Sequence, residues 1–159
     1  MRSFSLLLIM LLMTTMAVAQ SPDRVVRQDE RFTLYQSRVV RDAKTNLEWW
    51  PAPDIDVSWH DATRWTQYAA QFNGGWRLPT IQELETLYEA GNGEHNLNSM
   101  FQISAYTVWA KKQKGNRSAW CFSFDTGQAS WAARHRSPMK RVMAVRTVKL
   151  PPQKENNQP

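Results

Sequence analysis

The sequence predicts an α+β domain, with two helices packed on short antiparallel strands joined by long loops. Three observations carry that prediction. Two β-prone runs flank a polar turn within residues 39–50. Two helical patterns meet at Gly74-Gly75-Trp76-Arg77-Leu78-Pro79-Thr80. A series of short alternating runs fills residues 106–148. Helices and strands come in blocks and do not alternate, which favours a segregated α+β arrangement with an antiparallel sheet.

In chain order, residues 1–19 read as a secretory signal peptide. Arg2 supplies a positive start, residues 6–13 are an unbroken apolar run, and Ala17-Val18-Ala19 is a small-x-small cleavage site. The apolar run is short for a membrane span of about 20 residues. No second such run follows, so the mature chain is expected to be exported, periplasmic or extracellular, without a transmembrane segment. Residues 20–31 are polar and charged and read as a flexible lead-in to a single domain over 32–149, followed by a polar tail over 150–159.

Residues 32–34 suit a first strand. Residues 39–42 and 47–50 suit a hairpin around Ala43-Lys44-Thr45-Asn46, with Pro51 and Pro53 ending it. Ser58 is a good N-cap with Asp61 near the positive helix end. Trp59, Ala62, Trp65, Thr66, Ala69 and Phe72 then recur at three- and four-residue steps, predicting a helix over 59–72. Gly74 and Gly75 stop it. Pro79 keeps Leu78 extended, and Thr80 with Glu83 forms a capping box for a second helix over 81–89. Trp76 and Leu78 lie between the helices and are expected to seed the core.

The second half reads as strands. Residues 106–110 form one, followed by a basic turn over 111–116. Residues 118–124 alternate, with Trp120, Phe122 and Phe124 on one face and Ala119, Cys121 and Ser123 on the other. Asp125-Thr126-Gly127 is a turn, and residues 128–133 return as the partner. After a second basic loop, a final strand covers 141–148. All eight tryptophans follow residue 48, and the single cysteine, Cys121, excludes an internal disulfide, so stability rests on the apolar core.

The formal net charge of +6 is unevenly placed. Residues 20–109 hold eight Lys/Arg and twelve Asp/Glu, whereas residues 110–149 hold ten Lys/Arg and one acid, Asp125. The second half therefore carries a positive field that attracts polyanions and fades with salt.

Several motifs, colinear over residues 39–147, resemble those of the C-terminal domain of the Legionella collagen-like protein. Asp42-Ala43-Lys44-Thr45-Asn46-Leu47-Glu48-Trp49 is similar to its opening D-x-x-T-x-L-x-W hairpin, and Trp59-His60-Asp61-Ala62 to its W-x-x-A helix start. Trp76-Arg77-Leu78-Pro79-Thr80 with Glu83 matches its main signature. Val108-Trp109, Phe124 to Gly127 and Val145-Arg146 resemble its later motifs. The resemblance implies a C-type-lectin-like fold, related to formylglycine-generating enzymes, whose loops present a binding face. It also implies adhesion and sulfated polysaccharides as the functional setting. The chain lacks the Glu-Pro-Asn and Trp-Asn-Asp motifs that bind calcium and sugar in animal lectins. Ala144 stands where the family usually has a cysteine.

An oxidase site needs paired cysteines or clustered histidines and carboxylates, whereas His60, His95 and His135 are scattered. No enzyme activity, cofactor or metal is expected. Asp54, Asp56 and the nearby Asp61 are the only acids placed like cation ligands, and they also suit a loop and a helix start. The stronger signal is basic. Lys111, Lys112, Lys114 and Arg117 precede the predicted hairpin, and Arg134, Arg136, Lys140 and Arg141 follow it. If its strands pair, both clusters meet at the end opposite the Asp125 turn. Arginine binds sulfate or carboxylate in bidentate fashion, and an exposed Trp131 or Trp120 stacks on a sugar ring. The expected partner is an anionic polysaccharide or a cell-surface protein. The export signal argues against nucleic acid, and a protein-binding subunit of an envelope assembly is the alternative.

Overall fold

A computed structural model describes residues 23–135 and 138–148. In chain order the elements are β1 (Val25–Gln28), β2 (Phe32–Tyr35), β3 (Val40–Asp42), β4 (Leu47–Pro51), α1 (Trp59–Asn73), α2 (Ile81–Glu85), β5 (Thr107–Lys114), β6 (Ser118–Ser123), β7 (Gln128–Ala133), β8 (Lys140–Arg141) and β9 (Met143–Thr147). They form a mixed α+β structure with two sheets. The first is ordered β1-β2-β3-β4-β9 and the second β7-β6-β5-β8. The β4–β9 pairing, with Trp49 opposite Val145, joins the two ends of the domain.

The expected hairpin is β3–β4, with Asn46 at positive φ in its turn. Helix α1 starts as predicted. The Ser58 hydroxyl accepts the Asp61 N–H at 3.1 Å, and Gly74 ends the helix at φ 58°. Its buried face, Trp59 and Ala62, packs on the second sheet with Leu78, Trp109 and Cys121. Two indoles fasten the contact: Trp59 Nε1 donates to the Ala110 carbonyl and Trp109 Nε1 to the Val57 carbonyl, each at 2.9 Å. The main core lies on the opposite side, where Phe122 and Phe124 meet Leu84, Leu87, Phe101 and Val145. Both faces of β6 are therefore buried, as its alternation implies.

Four expectations are corrected. Where a flexible lead-in was expected, Val25–Gln28 pairs with β2 as an edge strand, its residues all exposed. Helix α2 ends at Glu85 and does not reach residue 89. The Arg31 guanidinium takes the Thr86 carbonyl at 2.7 Å, and the next two N–H groups bond three residues back, Leu87 to Leu84 and Tyr88 to Glu85. The supposed basic turn at 111–116 is largely strand, because β5 continues to Lys114 through an irregularity between Trp109 and Gln113. The strands make two sheets, and β8 runs parallel to β5. The signal-peptide reading of residues 1–19 and the tail over 150–159 lie outside the described residues. Among the described residues no helix is long and apolar enough to cross a membrane.

Candidate ligand-binding groove

The β6–β7 hairpin sets Trp120 directly opposite Trp131. Residues opposed in this way project from the same face of a sheet, and the two indoles meet edge to face with centroids 5.6 Å apart. Trp131 is 55 % exposed. Lys114, at the end of β5, lays its ammonium 2.8 Å from the Trp131 ring centre and 5.4 Å from that of Trp120. The ring faces attract that cation electrostatically.

Beside this pair the irregular stretch of β5 carries Lys111 and Lys112. The Lys111 N–H donates to the Pro79 carbonyl at 2.7 Å, which ties β5 to the segment leading into α2. Pro79 holds that segment extended and Thr80 opens the helix, so Ile81 faces the sheet across a gap. The gap is a groove of about 550 Å³ with Trp120, Ile81 and Ala129 as its apolar walls and Lys111 and Lys112 at its rim; among the described residues no acidic side chain lines it. An apolar, aromatic floor with cations above it suits a flat or ring-shaped anion.

The remaining predicted site residues divide. Arg134 does meet Arg117 at the hairpin end, donating its N–H to the Arg117 carbonyl at 3.0 Å. Its guanidinium bonds Gln113 Oε1 at 2.9 Å and the Asn116 carbonyl, and lies 5.5 Å from the Trp59 ring. Arg134 thus closes the hairpin on the α1 side. Lys140 and Arg141 are not at that end. They pair with Thr107 and Val108, at the far end of β5, about 20 Å along the strand from Lys114 at ~3.3 Å per residue. The expected meeting of both basic clusters is therefore corrected. Arg136 lies outside the described residues.

Arg141 is a structural cation. Its side chain is only 9 % exposed and reaches Asp54 and Asp56, each at 2.5 Å, with Ser104 Oγ at 2.9 Å. Burial pushes the Asp54 carboxyl up, but bonds from Ser104 and Arg141 outweigh it and hold it below its ordinary value. Asp56 is held down chiefly by its bond from Arg141. The acids placed like cation ligands thus hold a guanidinium, and Asp61 is engaged by Ser58 and Arg64. Among the described residues no group of three His, Cys, Asp or Glu side chains is arranged to hold a metal.

The signature around Trp76 is a joint. Arg77 makes a two-bond contact with Glu83, at 2.8 and 2.5 Å, while Glu83 also accepts the Thr80 N–H at 2.8 Å. Arg77 and Val145 exchange backbone bonds, which pins the joint to β9. Trp76 is buried between Trp50 and the Arg146 guanidinium, 5.6 and 4.2 Å from its ring. The model of the Lcl C-terminal domain family matches residues 38–146, from the strand pairing at β3 to the Arg146 on Trp76. The chain belongs to this family. No curated protein matches the chain.

Within this Lcl C-terminal domain the signature therefore builds the scaffold and the groove lies beside it, entered past Thr80. Of the residues expected from the sequence, Lys111 and Lys112 line this groove, and Lys114 and Trp131 lie beside it. Ile81 and Ala129 were not expected as its walls, and Trp120 was one of two options. Counting back from the Asp125-Thr126-Gly127 turn would set Trp120 opposite Ala132; the turn also takes in Phe124, so that Ser123 pairs with Gln128 and Trp120 with Trp131.

Proposed function

We propose that this Lcl C-terminal domain is an exported, non-enzymatic binding module of C-type-lectin-like fold, and that its groove holds an anionic glycan. The observation that carries the reading is a groove lined by Trp120, Lys111 and Lys112, with no acid among its described lining residues, beside the exposed Trp131 and Lys114. Sugar rings stack on indole faces, and sulfate or carboxylate groups accept from ammonium donors. The charge bias of the second half strengthens the local field and raises encounter rates with a polyanion. Helix α1 packed against one sheet, a short α2, and long loops between β4 and α1 and between α2 and β5 are compatible with the lectin-like fold. The signal-peptide pattern of residues 1–19 supports export.

The test is retention of the chain from Gln20 onward on immobilised heparin, against neutral dextran, in a salt gradient. The reading expects elution above physiological salt on heparin alone. Substituting Lys111, Lys112 and Lys114 by Ser should lower it sharply, with the thermal midpoint unchanged because all three side chains are exposed. Equal elution of the two proteins would remove the groove as the binding site.

A further inference from the structure

Among the described residues the outer edge of β7 is unpaired at Ala129 and Trp131. The second sheet begins at β7, and among the described residues no strand lies beyond it. Edge strands normally carry a charge, a proline or a bulge that deters a further strand from adding. The six residues of β7, Gln128-Ala129-Ser130-Trp131-Ala132-Ala133, carry none of these, and their register against β6 is unbroken.

The direction of the backbone groups follows from that register. Arg134 donates to the Arg117 carbonyl, so pairs two residues apart from there exchange bonds across the hairpin. Those pairs use Ala132, Ser130 and Gln128. Ala129 and Trp131 therefore turn their N–H and C=O groups outward, and no described residue bonds them.

We propose that this edge takes up an extended acidic peptide as an added antiparallel strand. The charge around it selects the occupant. Lys114 holds its ammonium 2.8 Å from the Trp131 ring centre, about one strand spacing (~4.8 Å) from the place of the new strand. Ala129, with a methyl as its whole side chain, lets a longer side chain of the added strand reach into the groove rimmed by Lys111 and Lys112. In an antiparallel pair, the residues that bond Ala129 and Trp131 project from the same face as those two. Alternate residues of the added strand thus face the lysines, and those positions take Glu or Asp. A second copy of this chain is a poorer occupant, because its own Lys114 would be brought against the first.

The probe is an alternating Glu-Thr octapeptide, with a Lys-Thr octapeptide as control, titrated into the chain from Gln20 onward and followed by tryptophan fluorescence. The Glu-Thr peptide should bind and the Lys-Thr peptide should not. Ala129→Pro removes one outward N–H without touching the β6 ladder, and should weaken binding about tenfold or more. The glycan reading fails or stands on heparin alone, and peptide chemistry separates the edge from it. Two modified peptides test the edge without altering the protein. N-methylation at every Glu should abolish binding, and N-methylation at every Thr should preserve it. Equal binding by both methylated peptides, or no binding by the parent peptide, overturns the proposal. So does a concentration-dependent dimer that Ala129→Pro abolishes, which would assign the edge to a second copy.

Discussion

Replacing Glu83 by Gln removes one charge from the joint that ties the two helices to β9. Glu83 is 19 % exposed and receives two bonds from Arg77 while completing the Thr80 cap. The glutamine keeps the shape and one acceptor, but it presents an amide N–H₂ to the guanidinium. That acceptor still closes the capping box with the Thr80 N–H, since glutamine serves there as glutamate does. Losing the charge-assisted pair with Arg77 at this partial exposure costs about 1–2 kcal/mol. That loss corresponds to a midpoint roughly 5 °C lower for a domain of this size. The pH dependence has a defined sign. Burial pushes the Glu83 carboxyl up, yet bonds from Arg77 and Thr80 hold it below its ordinary value of 4.5. Its contribution is therefore fully present above that value and is lost as pH falls through the lower folded value. Urea denaturation of both proteins at neutral pH and in steps below pH 4.5 measures the effect. A difference under about 0.5 kcal/mol at neutral pH, or one that does not shrink in acid, would refute the assignment of this joint.

Other sites give sharper contrasts. Trp109 is fully buried and Trp131 is 55 % exposed. Trp109→Ala should cost about 3–5 kcal/mol in urea denaturation, whereas Trp131→Ala should change stability little and reduce heparin retention. Arg141→Met should leave Asp54 and Asp56 without their cation and speed hydrogen exchange at the Ser104 N–H, which bonds Asp54 at 3.0 Å. In the unaltered protein the protection of that N–H, relative to an unfolded amide at the same pH, should fall only below the ordinary carboxylate range, because both carboxyls titrate low. Gly127→Ala places a methyl 2.8 Å from the Tyr88 ring at a φ of +66°. The strain should destabilise by about 1–3 kcal/mol, read from the thermal midpoint.

Local patterns in the sequence foretold local structure. The Ser58 and Thr80 caps, the hairpin around Asn46, and the alternation of β6 appear where the residues place them. Features that depend on distant partners were not legible. Helix α2 stops early because Arg31 takes a carbonyl 55 residues away. Arg141 looks like a free cation until the fold brings it to Asp54, 87 residues distant. β1 has no buried face and is held to β2 by its backbone, so no apolar period announces it. The lysines of β5 suggest a turn by composition, yet pairing with β6 keeps them in the sheet. At the groove, charge revealed the rim and only cross-strand register revealed the floor. The walls, Ile81 and Ala129, carry no signal that separates them from ordinary packing residues.

The most direct test of the binding account is the indole N–H spectrum of the eight tryptophans, recorded by NMR while a heparin tetrasaccharide is added. The account predicts that Trp120 and Trp131 shift together, saturably and with salt sensitivity, while the buried Trp49, Trp76 and Trp109 stay in place. Shifts confined to Trp59 and Trp109, beside Arg134 and Lys140, would contradict it and move the site to the α1 side. No shift at any indole would contradict glycan binding in the groove altogether.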